Sequence, residues 1–301
     1  MTNIVEVSSV KKKFKGTGSV LKSIDLQVES SQVVGLLGPN GSGKTTLLNI
    51  MVDLLKSDRG QVTFWNSKFV DLEAPITKVG VMLSPQWVDE RLSVEEFLMS
   101  QLILIKSNKP DRENIKKSIL KTVGLEGSEK KRISQLSLGM KQRVCLACCL
   151  VSEPELIILD EPLNGLDADG VLWLQEFIRS HRNNGGAVLL SSHLMAEMQT
   201  VAHSVVILDR GEVVARGAIE SLAGDSRTEI SVEESPHSLV EIFKDQGFTD
   251  VLVEDSTVSV TGIAPSKASY IAFSHGFSVC GLSETKTSLE DIYRTVLRVR
   301  K

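Results

Sequence analysis

The feature that most constrains this 301-residue chain is the segment Gly38-Pro39-Asn40-Gly41-Ser42-Gly43-Lys44-Thr45. It satisfies the pattern G-x-x-x-x-G-K-[ST] and lies between a continuous apolar run, 33–37, and a helical pattern, 44–55. A buried strand, a glycine-rich turn and a helix N-terminus together build a phosphate-binding loop, because main-chain N–H groups and the helix dipole converge on phosphate oxygens. Lys44 would then reach the β- and γ-phosphates of a nucleotide, Thr45 would bind Mg²⁺, and we place the adjoining Thr46 in the same site. The alternative is a glycine-rich turn that binds no ligand.

A second segment carries two adjacent carboxylates at the end of an apolar run, Leu156-Ile157-Ile158-Leu159-Asp160-Glu161. If 156–159 is a strand beside the loop, Asp160 would hold Mg²⁺ through water. Glu161 would orient or deprotonate the water that attacks the γ-phosphate. An acidic pair at a strand end is weak evidence alone, since it could also be a solvated turn or a helix cap. The phosphate-binding loop upstream favours a nucleotide-hydrolysing pair.

The order of apolar runs and helical patterns predicts the fold class. Short continuous apolar runs are expected of strands that are buried on both faces of a mostly parallel sheet. Here they alternate with helical patterns, which indicates an α/β architecture. The predicted strands are 33–37, 79–83, 156–159, 187–190 and 205–208, and the predicted helices are 44–55, 93–105, 113–123, 138–151 and 171–182.

Charge and hydropathy exclude several classes of protein. The formal net charge is −4, and basic and acidic side chains balance over residues 1–224, so the basic footprint of a nucleic-acid-binding protein is missing. No apolar run approaches the roughly 18 residues that span a bilayer. The N-terminus lacks the charged-then-apolar order of a signal peptide. We therefore expect a soluble, cytoplasmic protein that binds no nucleic acid.

Three of the four cysteines, Cys145, Cys148 and Cys149, share one short apolar stretch. Such clustering does not predict a disulfide framework. It could suggest a metal site, but no second pair of ligands follows, and the apolar neighbours favour small buried side chains.

A turn-rich break at 223–226 divides the chain, and we place the domain boundary at residue 224. The region 225–301 has the order strand, helix, strand, strand, helix, strand, which predicts a small α+β domain of ferredoxin-like type. A last helix is predicted to start at Ser288, whose hydroxyl would form a capping box with Asp291. Its apolar face would carry Leu289, Ile292, Tyr293, Val296 and Leu297. This domain would serve packing or dimer stabilisation, or it would be a regulatory module.

Five further segments match one protein family in the order that the family has them. They are Phe14, Ser84-Pro85-Gln86, Leu136-Ser137-Leu138-Gly139-Met140-Lys141-Gln142-Arg143, Gly165-Leu166-Asp167 and Ser191-Ser192-His193. Residues 4 to about 220 therefore resemble the ATP-binding-cassette (ABC) ATPases, the nucleotide-hydrolysing subunits of membrane transporters. The resemblance implies a P-loop cassette with a mixed, mainly parallel sheet. A helical subdomain at about 88–150 would carry the signature motif, 136–143.

The resemblance also implies roles for the matching positions. Gln86 would contact Mg²⁺ and the attacking water, and His193 would contact the γ-phosphate, although a lone histidine is usually structural. In the family, two cassettes sandwich two ATP molecules. Ser137 and Gly139 would therefore act on the ATP of the partner cassette, while Asp167 would link the two sites.

Four positions depart from the family pattern. Leu138 stands where the family usually has Gly, Met140 where it has Gln, and Asn164 where it has Ser or Thr. Phe14, the position that would stack on adenine, lacks the hydroxyl of the commoner Tyr but keeps the stacking face; the alternative is a core or edge aromatic. The phosphate-facing positions of the signature are retained, so we expect it to work.

The variant signature and the C-terminal region most resemble cassettes of bacterial multidrug, bacteriocin and lantibiotic exporters, whose permeases are separate chains. The resemblance implies ATP and Mg²⁺ as cofactors and a homodimer or a heterodimer with a second cassette. It also implies a multi-span permease that docks on the chain at the inner face of the cell membrane. A groove lined by Trp87, Val88, Leu92 and Phe97 would receive the permease, with ordinary core as the alternative. The rival functions are a soluble cassette acting on ribosomes, DNA or cluster assembly, and a small-molecule P-loop kinase.

Overall fold

The computed structural model describes residues 2–16, 18–84, 87–105, 109–223, 226–285 and 288–293. The chain divides into two compact units, Met1–Gly217 and Ala218–Lys301. The boundary expected at residue 224 lies outside the described residues. Within the described ranges, no helix has the length and apolar character needed to cross a membrane.

Strands and helices alternate through most of the first unit. The strands are β1 (Asn3–Phe14), β2 (Gly18–Glu29), β3 (Val33–Leu37), β4 (Arg59–Phe64), β5 (Val79–Met82), β6 (Leu156–Leu159), β7 (Ala187–Ser192), β8 (Ser204–Asp209) and β9 (Glu212–Ala218). The helices are α1 (Lys44–Met51), α2 (Pro75–Lys78), α3 (Val94–Leu104), α4 (Lys109–Thr122), α5 (Leu138–Cys149), α6 (Ala168–Asn183) and α7 (Met195–Val201).

The central sheet has the strand order β5-β6-β7-β3-β8-β9. Neighbouring strands from β5 to β8 are parallel, and every residue of β3, β6 and β7 is buried. The continuous apolar runs are thus strands covered on both faces, which confirms the prediction. Since parallel strands end at the same edge of a sheet, the segments that follow β3, β6 and β7 are brought together there.

Helices α3, α4 and α5 form the predicted helical region between β5 and β6. At the start of α3, the Ser93 hydroxyl accepts from the N–H of Glu96 at 3.2 Å, and the Glu96 carboxylate accepts from the N–H of Ser93 at 2.8 Å. Ser137 caps α5 through its hydroxyl, which accepts from the N–H of Met140 at 3.3 Å. These caps satisfy N–H groups that a helix start leaves unpaired. Local sequence therefore determines where α3 and α5 begin.

The three clustered cysteines lie on α5, and two of them, Cys145 and Cys149, are buried. The Cys149 thiol donates to the carbonyl oxygen of Cys145 at 3.4 Å. Burial raises the pKa of the Cys145 thiol to about 11. Both side chains therefore pack as small, un-ionised apolar groups, as predicted.

An antiparallel sheet with the order β2-β1-β4 is missing from the sequence-based prediction. The pairing of β1 with β2 shifts register between Val7 and Val10 and again between Val10 and Lys12, and Ser9 has a positive φ of 51°. Such irregularities break the two-residue alternation by which a half-buried strand is identified. The sheet nevertheless contributes Val5 and Phe64 to the main core.

The second unit contains α8 (Ile219–Ala223), β10 (Arg227–Val232), α9 (Pro236–Asp245), β11 (Val251–Glu254), β12 (Thr257–Thr261), α10 (Pro265–Ser274) and β13 (Val279–Thr285). Its sheet has the order β11-β12-β10-β13, and every neighbouring pair is antiparallel. Helices α9 and α10 pack against a single core that includes Ile230, Phe243 and Val260. This is the split β-α-β arrangement that the order of elements predicts.

The predicted capping box after β13 is present. The Ser288 hydroxyl accepts from the N–H of Asp291, and the Asp291 carboxylate accepts from the N–H of Ser288, each at 3.1 Å. Leu289 and Ile292 are buried. Val296 and Leu297, expected on the same helix face, lie outside the described residues.

We expect Phe243→Ala to lower the free energy of unfolding of the second unit by about 3–5 kcal/mol, because it leaves a cavity in the core. The Phe243 ring is fully buried and lies 6.0 Å from that of Phe248. Hydrogen exchange of the amides in 226–285, measured in the full chain, reports this loss. The control is Phe273→Ala on α10, where the ring is 66% exposed, and its effect should stay within about 0.5 kcal/mol. Equal losses in the two variants would contradict the core assignment.

Candidate active site

The glycine-rich segment forms a loop between β3 and α1. Gly38, Gly41 and Gly43 have positive φ angles of 152°, 80° and 110°, which residues with a side chain rarely adopt. A Cβ atom at Gly43 would lie 2.5 Å from Cδ2 of Leu21 on β2. The glycines therefore provide both the conformation and the close approach that this turn requires. Pro39 and Asn40 are exposed at the tip of the turn.

Two neighbouring segments hold the loop in place. The N–H of Gly211, in the turn between β8 and β9, donates to the carbonyl oxygen of Ser42 at 3.1 Å, and the Gly211 carbonyl accepts from the N–H of Lys22 on β2 at 2.8 Å. Phe14 pairs with Gly18 across the β1–β2 hairpin. Its ring is 37% exposed, and the Lys12 ammonium lies 5.5 Å from the ring centre.

Lys44 is the first residue of α1 and is only 5% exposed. Its ammonium donates to the carbonyl oxygens of Gly38 at 2.7 Å and Pro39 at 3.4 Å. It also lies 3.2 Å from Oε1 of Glu161, the second residue after the end of β6. Thr45 and Thr46 occupy the first turn of α1, with Thr45 exposed and Thr46 half-buried. The buried ammonium thus has one carboxylate as its counter-charge.

The second oxygen of Glu161 contacts a residue that follows β7. Nδ1 of His193 lies 2.9 Å from Oε2 of Glu161, and the Asn164 amide donates to the same oxygen at 3.4 Å. Glu161 has a positive φ of 49°, a conformation that costs roughly 1–2 kcal/mol for a residue with a side chain. The fold therefore brings Lys44, Glu161 and His193 together from three separate segments.

Asp160 and Ser191 are the buried polar pair at the ends of β6 and β7, at 6% and 0% exposure. The Ser191 hydroxyl donates to Oδ1 of Asp160 and accepts from the N–H of Glu161 at 2.9 Å. Ser191 is part of a three-residue match in the sequence, and the match gives this residue no role of its own. A hydroxyl at the end of a fully apolar strand was the signal that could have indicated one.

The signature segment packs on the turn before α6. Leu138 occupies the position that a Cβ atom on Gly165 would take, and a Cβ on Gly139 would lie 3.5 Å from Cδ2 of Leu166. Asp167 caps α6, its carboxylate accepting from the N–H of Gly170 at 2.8 Å. Gly139 and Asp167 thus lie at this turn, and Ser137 precedes Gly139 by two residues. The same turn carries Glu161, which contacts Lys44. Gln86 lies outside the described residues.

A phosphate-binding loop between a parallel strand and a helix, with an Asp-Glu pair at the end of a nearby parallel strand, defines the class of P-loop nucleotide hydrolases. The ABC transporter family model matches residues 21–164. The chain is 28% identical to the bacitracin transport ATP-binding protein BcrA of Enterococcus faecalis, over 99% of this chain and 97% of that protein. It is 31% identical to the ABC transporter ATP-binding protein NatA of Bacillus subtilis, over 75% of this chain and 94% of that protein.

A solved structure, a dimeric ATP-binding cassette in a post-hydrolysis state with ADP and Pi, superposes with a TM-score of 0.66 at 26% identity, over 72% of this chain and 99% of that one. The chain belongs to the ABC transporter ATP-binding proteins. It is accordingly an ATPase with the cassette fold that the motifs predicted, and ATP is its nucleotide. Subunits of this family dimerise and work with membrane permeases.

We expect Gly38→Ala to lower the free energy of unfolding by more than the roughly 1–2 kcal/mol that a positive φ alone costs. A Cβ at Gly38 would collide with the main-chain oxygen of Leu208 and lie 2.7 Å from Oγ of Ser42. The matched control is Gly127→Ala, with a φ of 77° and no atom within 4 Å of the added Cβ. Thermal unfolding and ATP affinity of both variants check this. The geometry of the loop would be contradicted if both variants lost the same free energy of unfolding and the Gly38→Ala variant kept its ATP affinity.

Proposed function

We propose that this chain energises a bacterial exporter, working with a separate multi-span permease at the inner face of the cell membrane. The proposed cargo is a drug, an antibiotic or a peptide. The observation that carries the catalytic part is the meeting of Lys44, Glu161 and His193 beside the phosphate-binding loop. The similarity to a protein named for bacitracin transport runs over 99% of this chain, and it supports the cargo class.

The loop fits a nucleoside triphosphate. Its buried Ser42 hydroxyl has no hydrogen-bond partner within the described part of the chain, and a phosphate oxygen would supply one. The Lys44 ammonium would exchange its carbonyl contacts for the β- and γ-phosphates. The main-chain N–H groups of residues 40–46 would surround the phosphates, since the N-terminus of α1 is directed at them. The partly exposed ring of Phe14 would stack on adenine.

Thr45, Gln86 and Asp160 would hold Mg²⁺. Hydroxyl, amide and carboxylate oxygens are the ligands that this hard cation prefers. Asp160 is buried and kept in place by the Ser191 hydroxyl, and this bond would hold its carboxylate ready to receive the ion. When bound, Mg²⁺ would neutralise charge on the phosphates.

Glu161 is the proposed general base. Its carboxylate is held from both sides, with Oε1 3.2 Å from Lys44 and Oε2 2.9 Å from His193, and its main chain is fixed by the Ser191 hydroxyl. A carboxylate in this position can accept a proton from the attacking water or orient it. His193 would contact the γ-phosphate, and its bond to Glu161 would bring the two groups into one unit.

The N-terminus of α5 is a second phosphate-binding element, because Ser137 presents a hydroxyl and Gly139 permits close approach. One chain carries one phosphate-binding loop, so a second such element requires a nucleotide held by another cassette. We infer a dimer, with a second copy or with a different cassette. Ser137 and Gly139 would act on the partner's ATP, and Asp167 would link the two sites.

The permease contact is proposed at the segment after β5. Trp87 is 60% exposed there, which is uncommon for so large an apolar ring. Val88 was expected to line the same groove, with ordinary core as the alternative. Its side chain is only 8% exposed and belongs to the core, so the groove does not include it. For the region after residue 224 we propose packing or dimer stabilisation, with regulation as the alternative role.

Replacing Glu161 with Gln is expected to reduce steady-state ATP turnover at least a hundredfold while ATP still binds, because the amide cannot take the proton. Phosphate release and ATP binding by the full chain are the measurements. Glu155→Gln is the control, since Glu155 is an exposed carboxylate next to the start of the same strand and should leave turnover unchanged. Unchanged turnover in the Glu161 variant would refute its assigned role.

Trp87→Ala should leave the ATPase activity of the isolated chain intact and abolish or strongly reduce cargo export in cells, because the permease loses its contact. Export and resistance are measured with the permease co-expressed. Leu54→Ala, which removes a side chain that is 59% exposed elsewhere on the unit, should affect neither. Co-purification of the Glu161→Gln chain with ribosomes or DNA-repair proteins instead of a permease would overturn the transport role.

A further inference from the structure

Gln142 on α5 is a buried amide with an unusual set of contacts. It is 5% exposed, and its Nε2 donates to the main-chain oxygen of Asn164. Its Oε1 is buried without a partner within the described part of the chain. Burying an unpaired amide oxygen is unfavourable, because the oxygen loses its hydrogen bonds to water. A stabilising role alone therefore does not account for glutamine at this position.

The acceptor of that bond belongs to the turn that carries Glu161. The N–H of Asn164 donates to the carbonyl oxygen of Glu161 at 3.2 Å, and the Asn164 side chain donates to Oε2 of Glu161 at 3.4 Å. Both the main chain and the carboxylate of Glu161 are thus joined to the residue that Gln142 holds. A displacement of α5 would reach Glu161 through only one intervening residue.

The head of α5 rests on the same turn through apolar contacts. Leu138 lies over Gly165, and Gly139 lies beside Leu166. The head of the helix therefore contacts the turn by apolar packing. Gln142 lies one helical turn further on and contacts it by a directional hydrogen bond. Packing permits sliding, whereas a hydrogen bond specifies one position.

We propose that Gln142 is a positioning residue that couples the signature helix to Glu161 of the same chain. Engagement of the α5 N-terminus with a partner's nucleotide would then set the Glu161 carboxylate for hydrolysis of the chain's own nucleotide. This inference rests on the proposed roles of Ser137, Gly139 and Glu161. It adds a link within one chain to the contacts across the dimer.

The test compares Gln142→Met with Gln175→Met in the full chain. Methionine keeps the side-chain length and removes the amide. Gln175 on α6 is the matched control, because it is also a buried glutamine, 9% exposed, whose Nε2 donates at 2.8 Å to the Thr200 hydroxyl. We expect kcat for ATP to fall about tenfold in Gln142→Met at an unchanged KM, and the Hill coefficient to fall towards 1. Gln175→Met should keep both values.

A second variant tests the next contact and does not depend on a core substitution. Asn164→Ala, at an exposed position, keeps the main-chain oxygen that Gln142 binds and removes the side-chain bond to Oε2 of Glu161. It should lower kcat less than Gln142→Met does, and the loss in the double variant should be smaller than the sum of the two single losses, because both contacts position the same carboxylate. Equal losses of kcat in the Gln142 and Gln175 variants, a loss confined to KM, or additive effects would overturn the inference. An inactive wild-type chain would instead refute the proposed function on which the inference rests.

Discussion

The ion pair between the Lys44 ammonium and the Glu161 carboxylate is the interaction on which the rest of the first unit depends. An ammonium that is 5% exposed requires a counter-charge and hydrogen-bond acceptors, since an unpaired buried charge is very unfavourable. The two partners lie more than a hundred residues apart in the chain. Lys44 begins α1, whereas Glu161 follows β6. Only the parallel order β6-β7-β3 brings the end of one strand to the helix that follows another.

The support around this pair is divided between two sheets. The parallel sheet delivers the functional side chains at its carboxyl edge, where Ser191 joins Asp160 to the main chain of Glu161. The antiparallel β1–β2 hairpin closes the other side, because Leu21 on β2 packs where a side chain on Gly43 would lie. The loop conformation is therefore enforced from outside as well as by its own glycines.

The two departures from the family pattern at Leu138 and Asn164 meet in the structure. Leu138 packs on Gly165, the residue directly after Asn164, and Gln142 binds Asn164 from the same helix. Substitutions that look independent in the sequence thus belong to one contact between the signature helix and the turn that carries Glu161.

The sequence by itself determined the features that arise from residues close to one another in the chain. The phosphate-binding loop follows from glycines at fixed spacing, the starts of α3 and α5 from their serine caps, and the buried strands from unbroken apolar runs. The places of Glu161 and His193 after such strands mark them as site residues, but the sequence alone does not show that they touch.

Only the tertiary structure decided which distant groups meet. Three sets of contacts depend on this packing: the bulged pairing of β1 with β2 and β4, the bond from Ser191 to Asp160 and the bond from Gln142 to Asn164. The two side-chain bonds join residues that are 31 and 22 positions apart in the chain. A periodic pattern reports which face of an element is buried but carries no information on what covers it. Long-range contacts are set by strand order and register, and these emerge only when the whole core packs.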